Sequence, residues 1–330
     1  MVNPPRGVVI LGLGLIGGSL AKTLVRAHWR VRGWDPDPDV RSAARECGIE
    51  IAESVDSACG EPGALIVVAA PLREMGELFA QIAACTDDTT TVCDVGSVKA
   101  PVRGLARQAG LGARYVGAHP MAGTERSGFA ATSPQLLRGV VWAITIDDDT
   151  ASGSFRRVVE LVTDGTNSRA LVLDDAVHDA AVAKISHVPH ALAAGLLTLA
   201  TGGSDPSVAR ALAAGSFRDG TRVARGDWRR SQAMVEANGE AVAICLLEVA
   251  ARLQRLAADL ADGRDTAWFF HAPPGEQARP GGPGARSIAA GPAWARELRA
   301  AGRTGEAVVG IDADGYVLEP LAKEAGGARP

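Results

Sequence analysis

Cysteine, aromatic side chains and an excess of either charge are all scarce in this sequence, and each shortage narrows what the chain can be. The five cysteines, Cys47, Cys59, Cys85, Cys93 and Cys245, are odd in number and widely spaced, and no Cys-x-x-Cys pair occurs. A disulfide framework is not expected, and the thiols read as reduced and mostly buried. The net charge is only −4, which gives no general attraction for nucleic acid or for an anionic membrane. Aromatic residues make up 4%, against 47% hydrophobic and 22% charged, the balance of a soluble globular protein. The longest N-terminal apolar stretch, Val8 to Ala21, is interrupted by glycines and lacks a basic leader or cleavage site. It also falls short of the about 20 apolar residues that span a bilayer, so a cytoplasmic location is expected. No internal repeat is visible, and 330 residues suffice for two domains with separate cores.

What is present begins with a strand-length apolar run, Gly7 to Gly12, running into Gly12-Leu13-Gly14-Leu15-Ile16-Gly17 and then a helical stretch from Gly18 to Ala27. In this context Gly12 permits a tight turn, Gly14 lets a pyrophosphate approach the backbone, and Gly17 allows close packing of helix on strand. The N–H groups of the helix start, at Leu15 and Ile16, face the phosphates. A second strand, Arg30 to Trp34, ends at Asp35, near the ~20-residue offset of a carboxylate that binds a ribose 2′-hydroxyl. That carboxylate repels a 2′-phosphate, so NAD is expected over NADP; Arg32 and Arg41 lie nearby and soften the preference.

Strands and helices continue to alternate: helical 38–47, a strand near 49–52, the buried strand Ala64–Ala69, helical 73–85, the strand Thr90–Val95, a strand over 113–118, another over Val140–Ile146, helical 151–163 and a strand over 168–173. The fold class expected is α/β, a doubly wound sheet, and the polar groups lie just past carboxyl ends of strands, where such sheets bind ligands. Ser97, in Gly96-Ser97-Val98-Lys99, and His119, in the loop Gly117 to Gly128, share that edge. His119 is a candidate acid or base, since imidazole titrates near neutrality; the alternative is a histidine that ties a turn. Ser97 also reads as an N-cap for a helix starting near Val98.

From about Asp174 the pattern becomes all helical. His178, Val182, Ser186 and His190 step by four along one helix, with His187 beside that stripe, and Pro189 should kink or break it. His178 suits a core or surface role as well as a functional one. His187-x-x-His190 lacks a third and fourth ligand, and no metal is expected. Ser216 to Ala224 carries Arg218, Asp219 and Arg222, and arginine suits bidentate capture of a carboxylate. Residues 236–261 form a long amphipathic helix of the kind that packs on a partner. Residues 272–293 are dense in Gly, Pro and Arg, followed by a helical Ala293–Ala301 and a hairpin pattern over Val308–Leu318. The domains expected are 1–172 for dinucleotide binding, 173–262 for a helical domain, and 263–330 for an irregular tail with a short helix and a hairpin.

Taken together, the Gly12–Gly17 loop, Asp94-Val95-Gly96-Ser97-Val98-Lys99, Gly117-Ala118-His119-Pro120-Met121-Ala122-Gly123, Ser186-His187-Val188-Pro189-His190 and Phe217-Arg218-Asp219-Gly220-Thr221-Arg222 resemble the prephenate/arogenate dehydrogenase family of tyrosine biosynthesis over roughly 7–261. The resemblance implies a Rossmann domain followed by an all-α dimerisation domain, a homodimer, NAD as cofactor, and oxidative decarboxylation of prephenate to 4-hydroxyphenylpyruvate, or of arogenate to tyrosine. It implies that His119 is the catalytic histidine, with Ser97 hydrogen-bonding at the same hydroxyl. Arg222 would bind a substrate carboxylate, with His190, His187 and Ser186 lining the pocket and Arg218 the second candidate for the carboxylate. Asp219 and Glu125 resemble polar groups near the pocket entrance. Only six residues precede the first strand, so no mutase domain is expected ahead of it. A rival reading, a β-hydroxyacid dehydrogenase, would rely on Lys184, and does not account for the His119 loop.

Overall fold

A computed structural model of the chain describes residues 6–124, 126–202, 205–271 and 285–321. It divides into two compact units, the first holding the chain up to His178 together with the segment ending at Leu321, the second starting at Asp179.

In the first unit the chain runs β1 (Gly7–Leu11), α1 (Leu15–Arg26), β2 (Arg30–Trp34), α2 (Pro38–Glu46), β3 (Glu50–Ile51), α3 (Val55–Cys59), β4 (Leu65–Val68), α4 (Leu72–Cys85), β5 (Thr91–Asp94), α5 (Ala100–Gln108), β6 (Tyr115–Pro120), β7 (Val141–Thr145), α6 (Ser152–Glu160) and β8 (Arg169–Leu173), and α7 (Asp175–Val182) leads out of it. The sheet order begins β3-β2-β1-β4-β5-β6, and neighbouring strands there are parallel. That is the order of a dinucleotide-binding Rossmann sheet, whose ligand crevice lies outside the carboxyl ends of the strands. Ile10, Leu11, Ile66, Val67, Val68, Val92 and Cys93 are fully buried, because helices cover both faces of a parallel sheet and leave no polar side to the strands. Burial also pushes the Cys93 thiol far above its ordinary range, as expected of an inert core cysteine.

The second unit is helical: α8 (Val188–Thr201), α9 (Pro206–Leu212), α10 (Gly215–Thr221), α11 (Trp228–Ala237), α12 (Gly239–Ala261) and α13 (Ala267–Phe270). Pro189 does not break the helical run, which continues to Thr201. The helix passes through a π-helical turn at Ala183–His187, in which the Val188 N–H bonds back to Ala183 O. Proline has no N–H to offer the preceding turn, and a wider turn absorbs the mismatch.

The tail departs from expectation. Its strand β9 (Arg286–Ile288), helix α14 (Trp294–Arg303) and hairpin β10 (Glu306–Ile311) and β11 (Tyr316–Pro320) do not form a third, irregular region. They extend the first unit's sheet, which continues β6-β7-β8-β10-β11-β9. The reason is an edge: without β10, β8 would present a row of unpaired backbone groups. Val308 pairs with Ala170, Trp294 and Tyr316 pack on Phe155 at 4.8 and 5.1 Å between ring centroids, and Gly302 sits so close to Val172 that a Cβ there would lie 1.9 Å from its carbonyl oxygen. The boundary expected after 172 accordingly falls after His178.

Candidate active site

The glycine turn is built as the spacing predicts. Gly12 has φ +95°, a left-handed conformation that glycine adopts without strain, and its N–H bonds to Trp34 O at 2.8 Å. Around Gly14 nothing lies within 4 Å of where a Cβ would be, whereas a Cβ on Gly17 would sit 2.0 Å from Gly12 O. The first intrahelical bond of α1 joins Gly18 N–H to Gly14 O at 2.8 Å. The N–H groups of Leu15, Ile16 and Gly17 therefore have no partner within the helix, the arrangement that receives a phosphate. Asp35 braces this turn: its Oδ2 accepts from Leu13 N–H at 2.7 Å and its Oδ1 from Asp37 N–H at 3.0 Å. Arg41 bonds to the Asp35 and Pro36 carbonyl oxygens at 2.6 and 3.0 Å, and Arg32 is drawn toward Glu50. These groups fit a dinucleotide: an open glycine, a helix start and an acid at the end of the second strand.

Three strands along, His119 lies within β6 rather than in the loop after it. The strand runs on to Pro120 because β7 pairs with it antiparallel, setting His119 opposite Ala143. His119 Nδ1 lies 2.9 Å from Nε2 of His178, whose ring is edge-on to it at 71°. His178 is 1% exposed, so the helix stripe expected to serve the second unit places its first histidine in the first. Ser97 is half-buried in the bend after β5, the strand next to β6. It does not cap α5, which starts at Ala100 with Lys99 in the cap position and no side-chain cap.

Beneath the histidine lies a buried ionic network that the sequence did not disclose. Lys99 and Asp94, both fully buried, form an ion pair, and Lys99 Nζ also donates to Ala118 O, one residue before His119, at 2.8 Å. The Asp94 carboxylate further accepts from Tyr115 Oη at 2.7 Å and from Gly96 N–H at 2.8 Å. Burial, and then the charge of Asp94, hold the Tyr115 hydroxyl well above its ordinary pKa, so it stays a donor. Arg103 lies over the Tyr115 ring at 5.1 Å, donates to Thr145 O at 2.8 Å and pairs with Asp175 at the start of α7. The only signal in the sequence is an acid ending an otherwise apolar strand with a lysine five residues on.

In the helical unit, His190 Nδ1 lies 2.8 Å from Ser186 O. That contact requires Nδ1 to carry the proton, which makes Nε2 the acceptor of a neutral ring. His187 is fully buried, with Nδ1 3.1 Å from Asn238 Nδ2, which also donates to Asp179 O at 2.8 Å. Ser186 is half-buried, while Arg218 and Asp219 on α10 and Arg222 in the 3₁₀ turn Arg222–Arg225 are exposed. Lys184 is exposed on the π-helical turn, and Trp228, at the start of α11, is 61% exposed with Arg229 over its ring. Glu125 lies outside the described residues. Among the described residues no three His, Cys, Asp or Glu side chains gather as metal ligands would.

Known proteins are similar to this chain in sequence and in fold. Residues 20–170 match the model of the prephenate dehydrogenase nucleotide-binding domain, and residues 174–270 that of the prephenate dehydrogenase dimerization domain. Cyclohexadienyl dehydrogenase of Zymomonas mobilis is 30% identical over 256 residues, 76% of this chain and 86% of that protein. The chain belongs to the prephenate/arogenate dehydrogenase family. Prephenate dehydrogenase of Lactococcus lactis is 33% identical over 67% of this chain, and the chain spans 61% of that relative's length. Among solved structures, prephenate dehydrogenase of Aquifex aeolicus in complex with hydroxyphenyl propionate and NAD+ is 27% identical with a TM-score of 0.73, covering 80% of this chain and 93% of that one. The family models stop short of the tail segment 285–321.

Proposed function

We propose that the protein oxidises and decarboxylates prephenate to 4-hydroxyphenylpyruvate with NAD, the step that commits the ring to tyrosine. The observation that carries this reading is the His119–His178 hydrogen bond, which orients an imidazole at the ligand-binding edge of a dinucleotide sheet. A bound nicotinamide would supply the acceptor for the hydride of the hydroxyl-bearing carbon. Everything else falls to the protein. For His119 Nε2 to take the hydroxyl proton, Nδ1 must carry the other hydrogen and donate it to His178 Nε2. Ser97 holds the same hydroxyl. Once the ring carbon is a ketone, the ring carboxylate leaves as CO₂, its bonding electrons pass through the ring to the oxygen, and His119 returns its proton to form the phenol.

Arg222 pairs with a substrate carboxylate, and Arg218 is the nearest substitute on α10. His190, its Nδ1–H held on Ser186 O, lines the substrate pocket together with Ser186 and His187, Asp219 and Glu125 are candidate polar groups for its entrance, and Asp35 takes the ribose hydroxyls. The Aquifex relative's ligands, an aromatic hydroxyphenyl acid and NAD+, are consistent with this assignment.

The helical unit also supports a homodimer. Leu196 and Leu199 on α8 and Ile244 and Leu247 on α12 are exposed, at up to 78% for Leu199, in the region that matches a dimerization domain. The helical run Asp175–Thr201 is long and apolar enough to cross a membrane by length and composition alone. We assign its apolarity to subunit contact and the protein to the cytoplasm; light scattering at twice the 34.0 kDa chain mass tests the dimer.

The deciding assay follows reduction of NAD and of NADP on prephenate and on arogenate. Turnover is expected with NAD and prephenate; turnover on arogenate alone would reassign the substrate, and none on either would end the proposal. Within that assay Arg222→Ala should raise KM for substrate by about 10- to 100-fold, the value of a charged hydrogen bond, with kcat changed far less. An unchanged KM moves the carboxylate contact to Arg218.

A further inference from the structure

We infer that the tail segment 285–321 is a positioning element for the catalytic histidine pair, acting through Asp174. The inference rests on His119 being the base, and it concerns residues beyond the matched family regions.

Each link is a direct contact. On α14, Arg299 Nε lies 3.1 Å from Asp174 Oδ1 and Arg303 Nη2 lies 2.6 Å from Asp174 Oδ2, so one carboxylate is gripped by two guanidinium groups. Arg299 is anchored again on Asp148 at 2.5 Å, and its side chain is only 13% exposed. The carbonyl oxygen of Asp174 accepts the N–H of His178 at 3.0 Å, the first turn of α7. The His178 ring then meets His119 at 2.9 Å. From tail to base the path is one ion pair, one backbone hydrogen bond and one imidazole contact.

Two features make this more than a surface ion pair. First, α14 has little freedom to shift, because Gly302 lies against the Val172 carbonyl and Val308 pairs with Ala170, two to four residues before Asp174. Second, the neighbouring acid, Asp175, is held by Arg103, itself stacked on Tyr115 of the network that includes Lys99 and Asp94. The start of α7 is thus held twice, by α5 through Asp175 and by the tail through Asp174. Without the tail's grip, the turn that aims His178 would keep only the Asp175 anchor. Small misplacements of a reacting group are costly, and they appear in kcat rather than in binding.

The test is the Arg299→Ala/Arg303→Ala double variant of the full chain, with Arg286→Ala as control. Arg286 makes a tail ion pair with Glu306 that does not touch Asp174. The double variant is expected to lower kcat about five- to tenfold, with KM for prephenate and for NAD within about twofold. The imidazole ¹⁵N resonances of His119 should shift as the Nδ1 contact loosens, a change that can be read without turnover. Arg286→Ala should leave kcat and those resonances in place. Should the double variant lower the melting temperature while kcat and the His119 resonances stay as in the parent, the tail is a buttress for the sheet and the inference fails. His119→Asn run alongside separates the two claims: full activity there removes the base assignment, whereas loss there with an unaffected double variant removes only the role of the tail.

Discussion

Substituting His119 with asparagine is expected to lower kcat by about 10²–10⁴-fold, the usual contribution of a positioned base, while the affinity for NAD stays near that of the parent. Asparagine is shorter than imidazole and its amide cannot take a proton at neutral pH, so the base is lost even where a hydrogen bond to His178 Nε2 survives. The cradle for the dinucleotide is made by Gly12, Gly14 and Asp35, which follow β1 and β2, whereas the histidine pair stands on β6 and α7. Stopped-flow measurement of the reduction step and fluorescence titration with NADH would separate the two effects. Loss of cofactor binding in step with turnover would instead make His119 a structural residue of the sheet edge.

The second large effect concerns stability. Lys99→Met is expected to cost about 3–5 kcal/mol, because it leaves the fully buried Asp94 carboxylate without its cation. Tyr115 and Gly96 donate to that carboxylate but bring no charge. Against a typical total of about 5–15 kcal/mol this is a large share, and the melting temperature should fall on the order of 10 °C. The double variant Lys99→Met/Asp94→Asn should recover part of the loss, since a neutral amide is far cheaper to bury than an unpaired carboxylate. Urea melts of the two single variants and the double give the coupling directly. A cost under about 1 kcal/mol for Lys99→Met would place the pair in solvent, as exposed pairs behave.

Much of this was legible in the sequence because the signals were local. Gly12 to Gly17 sits between a strand and a helix, and a turn that demands φ +95° at its first glycine admits few other residues. Unbroken apolar runs such as Leu65–Val68 can only be strands covered on both faces. The rest depended on contacts between distant residues. That β10 pairs with β8 joins residues 308 and 170, and nothing in either strand names the other. His178 looked like one member of a helical stripe, and only the break between units at His178 gives it to the sheet rather than to the helices. Lys99 and Asp94 were visible as a motif, but their burial was not, since a lysine near a helix start usually reaches solvent. The contact between His187 and Asn238 joins residues 51 apart, and neither side of it can be read from the Ser186–His190 motif.

Because the chain leaves the sheet after β8 at Leu173 and comes back to it at β9, the sheet cannot be finished until the whole helical unit has been synthesised. On the ribosome, the nascent first unit would carry β8 as a bare flank until residues 306–311 emerge, and a chain cleaved between the helices and the tail would carry it permanently. Such flanks recruit other strands, so premature termination should yield aggregates rather than a soluble, slower enzyme.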